Sequence, residues 1–261
     1  MGDTGLMTAG MCSVTYRHLP ADRIIELAVG AGLERIEWGQ DAHIPLGGEA
    51  EAHRVGEATR AAGLTVSSLG SYYRAGEIDD LEEDRRVWRR VLAAARALGA
   101  PRVRVWAGKT GSASVTPAER RRTLDALKRC VDTAGDVVVA TEFHDGTLTD
   151  DAVSARAMLD EVPGLRTYWQ PPNGMPDGEA LQGLRTVLDR LEAVHVFSWW
   201  PTPRQRWPLD HREGLWRAVM DVVASTGRPI DALLEFVPGD DPAVLGREAA
   251  TLRRYLRRAA A

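Results

Sequence analysis

Short β-rich runs alternate with longer stretches of helical period along this chain, and the alternation repeats eight times. The candidate strands are residues 7–14, 34–38, 64–69, 102–106, 136–142, 165–170, 192–197 and 231–236. Each is followed by a candidate helix, at residues 20–31, 48–62, 79–98, 117–134, 150–161, 178–190, 212–226 and 242–258. Parallel neighbours need a crossover long enough to hold a helix, so strict alternation of β and α elements forces a parallel sheet. Eight such units in 261 residues favour closure over an open doubly wound sheet. The expectation is an α/β fold made of a single (β/α)8 barrel domain spanning residues 1–261.

Local signals agree with these boundaries. Thr116-Pro117-Ala118-Glu119 places a capping threonine, a proline in the first helical position and a glutamate at the third, which satisfies orphan amides reciprocally. Asp241-Pro242 predicts the start of the last helix in the same way, and Leu245, Ala249, Leu252 and Leu256 form one apolar stripe along it. Val87, Val91, Ala95 and Leu98 do the same in the third helix, while Gly32, Gly63 and Gly99 sit where helices end.

A net charge of −4 argues against wholesale contact with a nucleic-acid backbone. The stretch MGDTGLMTAG has neither a basic start nor a continuous apolar core, and no run of apolar residues is long enough to span a bilayer. The chain therefore reads as cytoplasmic, without a membrane or nucleic-acid partner. Cys12 falls in an early apolar strand and Cys130 in a helical segment, so both read as buried structural thiols and not as a disulfide framework.

In such a barrel, chemistry sits at the C-terminal ends of the strands and in the loops beyond them. The run Val137-Val138-Val139 ends in ATEFHDG (residues 140–146), delivering Glu142 and His144 within three residues. Other strand ends add Glu37 and Trp38, Ser71 and Tyr72, Arg104 and Trp106, Gln170 and Asn173, His195, and Glu235. His195 and Glu235 lie inside or at the end of apolar runs, where an unpaired charge is costly, so a bound cation or a salt bridge is the natural resolution. Taken singly, Glu142 also reads as an ion-pair partner of Arg104, and His195 as a hydrogen-bonded core histidine. Strand alternation turns Glu37 and Arg104 inward, where pairing with each other competes with substrate contact. His18, His53 and His211 read as surface residues.

This set resembles the xylose isomerase-like TIM barrel superfamily of sugar phosphate isomerases and epimerases, and the resemblance covers essentially the whole chain. The superfamily's metal centre takes Glu, Asp, His and Glu from strands five to eight. Glu142, His195 and Glu235 match three of these, and Gln170 stands where the sixth-strand Asp belongs. WGQDAHIP (38–45), GSYYRAGE (70–77) and YWQPPN (168–173) mark a branch of its own. The resemblance implies a divalent metal held by Glu142, Gln170, His195 and Glu235, and oxygen-rich ligation suits Mn or Mg better than Zn or Co. It also implies Glu142 and Glu235 as catalytic acid and base, passing a proton by way of an enediolate. An amide at Gln170 leaves the centre one negative charge short. His144 would support the centre or touch substrate.

Six of the eight tryptophans, Trp38, Trp106, Trp169, Trp199, Trp200 and Trp207, fall at strand ends or in the loops after them. Aromatic faces beside polar groups suit a sugar ring. Glu37, Trp38, His43, Tyr72, Arg104, Trp106, His144, Asn173, Trp200 and Arg206 are thus the candidate substrate contacts. Arg204 and Arg206 offer charge for a phosphate or carboxylate, although no glycine-rich phosphate loop accompanies them. The resulting expectation is a metal-dependent isomerase or epimerase of a sugar or polyol, with a homodimer as the allowed assembly. A lyase or hydrolase at the same centre and a catalytically silent sugar-binding barrel are the alternatives. An endonuclease acting at abasic sites would need further histidines where this chain has Ser71, Arg104 and Trp106.

Overall fold

Strand and helix alternate eight times in the computed structural model, which describes residues 7–259. Residues 1–6, part of the stretch read above for a leader, and residues 260–261 at the domain's end lie outside the described residues. The strands are β1 Met7–Cys12, β2 Arg35–Gly39, β3 Thr65–Arg74, β4 Arg102–Trp106, β5 Val138–Glu142, β6 Arg166–Trp169, β7 Leu191–Val196 and β8 Ile230–Leu234. They close in sequence order, every neighbour parallel, with β8 paired back to β1. The helices are α1 Ala21–Gly30, α2 Glu49–Ala61, α3 Leu81–Leu98, α4 Pro117–Ala134, α5 Ala152–Glu161, α6 Asp177–Val187, α7 Glu213–Ala224 and α8 Leu245–Ala259. Among the described residues no helix is long and apolar enough to cross a membrane.

The expected punctuation is present at α4, where the Thr116 side chain accepts from the Glu119 amide and Glu119 reaches back to the Thr116 amide. At the last helix it is displaced. Asp241 and Pro242 open a separate short helical turn, Pro242–Val244, and α8 starts only at Leu245. Strand β3 runs five residues past its expected end at residue 69 and carries Tyr72 and Tyr73 inside the sheet. An irregular register between Gly70 and Arg74 lets it follow β4 as far as Trp106, a path suited to aromatic side chains.

Period-two alternation decides what faces the barrel axis. Cys12, Ala140, Tyr168, Ala193 and Leu233 form one buried cluster there, while the larger apolar core lies between strands and helices. Below that cluster, Asp231 accepts from Ser67 Oγ at 2.7 Å and pairs with Arg35 Nε at 3.0 Å and with Arg102. Arg102 is buried and also donates to the Ser67 and Glu192 carbonyls. Removing one partner of a buried charge pair leaves the other uncompensated. Asp231→Ala is therefore expected to lower the unfolding free energy by about 3–5 kcal/mol, read from urea denaturation. A loss below about 1 kcal/mol would mean that water replaces the pair.

Candidate metal centre and substrate cavity

One register step above the cluster, the inward positions are polar. Strand β4 alternates Arg102, Arg104 and Trp106 toward the axis, and β5 adds Glu142 two residues beyond Ala140. Arg104 is buried and donates from Nε to Glu37 Oε1 at 2.9 Å and from Nη1 to Glu142 Oε2. Trp106 Nε1 donates to the same Glu142 oxygen at 2.7 Å, and Ser68 Oγ to Glu37 Oε2 at 2.6 Å. Burial raises the pKa of both carboxyls, but the Arg104 charge and the neighbouring His195 together more than offset it. Glu142 is held at about 2 and Glu37 well below the carboxylate range.

Glu142 keeps its other oxygen free of this clamp. Around His195 Nδ1 stand Gln170 Oε1 at 3.1 Å, Glu142 Oε1 at 3.4 Å and Glu235 Oε2 at 3.5 Å. A single N–H can satisfy only one of three acceptors, whereas a cation satisfies all of them, so the donor set fits a divalent ion. On the other side of the ring Nε2 has no hydrogen-bond partner, with Glu37 Oε1 at 3.6 Å. Carboxylates placed behind a ligating imidazole in this way fix its tautomer. Burial opposes charge on His195, yet Cys12, Glu235 and Glu37 together raise its pKa well above the ordinary histidine value. Burial also pushes the Cys12 thiol up to about 12, so at neutral pH the two carboxylates account for the effect. Three carboxylates against one guanidinium leave the mouth with an excess of negative charge.

Above these groups opens a cavity of about 220 Å³, roughly seven water volumes. Glu142, Gln170 and Glu235 form part of its wall, with Trp106, His144 and Trp199 as aromatic faces and Arg17 and Tyr72 at one side. His144 stacks on Trp106 at 4.5 Å between ring centroids. Asn173 Oδ1 and Trp199 Nε1 are buried there without partners.

Comparison with known proteins places the fold. The family model described as xylose isomerase-like TIM barrel matches residues 25–255. The chain belongs to that family. Among solved structures, the probable 3-DHS dehydratase AsbF of Bacillus anthracis superposes with a TM-score of 0.77 at 18% identity, over 95% of this chain and 99% of its own. The IolI protein with a bound zinc atom gives 0.71 at 13%, over 97% and 98%. An AP endonuclease, family 2, from Brucella melitensis gives 0.71 at 16%, over 94% and 98%. At these identities the likeness is one of fold. A search of curated proteins finds no match.

The structure brings the four expected ligands of the family set together and sorts the expected substrate contacts. Tyr72, Arg104, Trp106, His144 and Asn173 line the cavity. The other five expectations are corrected. Trp38 is one residue out of phase with inward Glu37; its indole turns outward and donates to Thr59 of α2 at 3.2 Å. His43 is held between Ser13 Oγ and the Leu19 carbonyl at 3.0 and 3.1 Å. Trp200 lies under the Arg212 guanidinium, 4.6 Å from the ring centroid, and its neighbour Trp199 faces the cavity instead. Arg206 pairs with Asp240 and rests on Phe236 at 4.2 Å, behind the aromatic wall. Glu37 likewise is 1% exposed and serves Arg104 and His195 from below. His18, His53 and His211 are exposed.

Arg17 lay outside the expected site residues, and Cys12 is the buried free thiol that was expected, placed beside the site. Arg17 lines the cavity, donates to Tyr72 at 2.7 Å and pairs with Asp41 at the same distance. It follows a short helical turn after β1, and nothing in its sequence context points inward. Cys12 had a signal in its parity, because it is two residues beyond Gly10 on the inward side of β1.

The Arg104 clamp has a pH signature. The depressed pKa of Glu142 contributes stability above the ordinary carboxylate value of 4.5, and the contribution is lost as pH falls toward about 2. Arg104→Leu removes the strongest charge that holds Glu37 and Glu142 ionised and leaves His195 alone against their burial, so their folded pKa values rise. With chelator present, the variant is expected to lose about 3–5 kcal/mol at neutral pH and to lose less on acidification than the parent. Melting temperatures between pH 8 and pH 4 on the order of one-unit steps read this slope; parallel profiles would refute the clamp.

Proposed function

We propose that this chain is a divalent-cation-assisted isomerase or epimerase of a small sugar or related polyol. The observation that carries the reading is the convergence of Glu142, Gln170 and Glu235 oxygens on one nitrogen of His195, in the wall of a cavity sized for one small ring. A cation held there supplies Lewis acidity toward a substrate oxygen.

The two glutamates differ in what they can do. Glu142 Oε2 is occupied by Arg104 and Trp106, which keeps that carboxylate ionised and fixed. Glu235 accepts no hydrogen bond on its carboxylate among the described residues and lines the cavity. Glu235 is therefore the base that removes a proton from the carbon beside a substrate carbonyl, and the same carboxyl returns it. Trp106, Trp199 and Phe236 exclude water and face the ring, while the open acceptor of Asn173 and the open donor of Trp199 suit successive hydroxyls. The excess negative charge disfavours a phosphate backbone as ligand.

A second reading, loss of water from a β-hydroxy ketone, begins with the same proton abstraction. Half-buried His144 favours it, since its ring lines the cavity where a departing hydroxyl would need a proton, and one structural relative is described as a dehydratase.

Incubation in deuterated water with a panel of aldoses, ketoses and cyclic polyhydroxy ketones is expected to place deuterium at one carbon of a substrate without loss of water, detected by NMR. Glu235→Gln should lower turnover by about 10²–10⁴ with the melting temperature kept. Exchange followed by a product lacking water selects the second reading; no exchange with any member refutes both.

Gln170→Glu keeps the side-chain length and adds the charge that the family's aspartate carries. Calorimetry is expected to show the divalent ion bound tighter by about tenfold or more. Unchanged affinity would make Gln170 a substrate contact only.

A further inference from the structure

We propose that Cys12 is a ligand of the cation at the barrel mouth, and that the site selects zinc or cobalt over manganese or magnesium. The inference rests on the reading of that mouth as a cation site. Cys12 closes β1 in register with Glu37 of β2. Its sulfur and the ligand atoms of His195 and Glu235 all lie within 4.8 Å of one another. All three residues are buried, and the Glu235 carboxylate accepts no hydrogen bond among the described residues.

A thiol used only for packing would have apolar neighbours alone. Cys12 does touch such neighbours, in the cluster with Val14, Ala140 and Leu233, but it also stands beside an imidazole and a carboxylate that need a partner. Sulfur is a poor donor to the hard ions and a strong one to zinc, and imidazole suits zinc as well. Cys12, His195 and Glu235 are a three-ligand set of the kind that holds catalytic zinc, and the Glu142 and Gln170 oxygens, 3.4 and 3.1 Å from the same imidazole, stand close enough to complete the shell when it expands. Glu235 is the member of the trio that also lines the cavity, so the open side faces it. On binding, the Cys12 S–H bond breaks, its electron pair goes to the ion and its proton leaves to water. The preference for Mn or Mg drawn from sequence counted oxygen and imidazole donors only; a thiolate reverses it.

Cobalt(II) titrated into chelator-stripped full-length protein provides the test. Because the chain has two cysteines, the expected near-ultraviolet thiolate-to-cobalt charge-transfer band can be assigned by substitution. Cys130→Ser, in α4, should keep the band. Cys12→Ser should abolish it and weaken zinc beyond the about 10–100-fold that loss of an outer contact costs. Manganese affinity should change less. If Cys12→Ser does not fold, X-ray absorption of the zinc-loaded parent decides, with a sulfur scatterer expected at about 2.3 Å. Cobalt bound without the band, or a zinc shell of nitrogen and oxygen alone, overturns the role of Cys12 and leaves the cation site standing. A protein that takes up neither zinc, cobalt nor manganese overturns both.

Discussion

The mouth of the barrel is organised around one buried guanidinium. Arg104 brings a full positive charge into a region where an unpaired ion would cost several kcal/mol, and it is accommodated because strands on either side supply carboxylates. Glu37 of β2 meets Nε and Glu142 of β5 meets Nη1. Strand β3 lies between β2 and β4 and has to be bare at that level. A Cβ on Gly70 would stand 2.7 Å from Arg104 Nη2 and 2.8 Å from Glu37 Oε1. The glycine is therefore part of the ion pair, although it makes no bond.

The clamp has a consequence for chemistry. A carboxylate tied to arginine on one oxygen presents the other in a single orientation, so Glu142 is a fixed anion while Glu235 carries no such clamp. The arginine also lowers the negative charge of a site that gathers three carboxylates around one imidazole, and the balance that remains suits a divalent ion. Beneath it, the tyrosine and leucine of the interior cluster separate this layer from the Arg102–Asp231 pair. Two charged layers with an apolar sheet of side chains between them give the barrel interior its vertical order.

Much of the site was legible from strand parity alone. Glu142, His195 and Glu235 stood at the ends of apolar runs, and their ends meet because eight parallel strands of similar length put their C-termini on one rim. Parity also had the information to correct one error. Trp38 follows inward Glu37 by one residue, so it had to face away from the axis. Cys12 shares the inward parity of β1 and is buried as a free thiol, as its apolar run implied. His43 and Arg17 are different, since loop residues obey no period and their contacts, to Ser13 and Leu19 or to Tyr72 and Asp41, come from chain segments far apart in sequence.

The order of the strands, their number and the side of the sheet that each residue faces were determined by sequence, because hydrophobic period and helix punctuation are local properties. Family membership was legible too, through residues that mark the ends of strands five to eight. Which charges pair was decided only by the closed barrel. The choice between Arg104 and a cation as partner of Glu142 depends on which Glu142 oxygen faces which group. The freedom of Glu235 depends on what does not reach it, and the place of Cys12 beside His195 depends on the closure that sets β1 next to β8. Those are distances across the axis, and no spacing along a chain encodes them until the sheet has met itself.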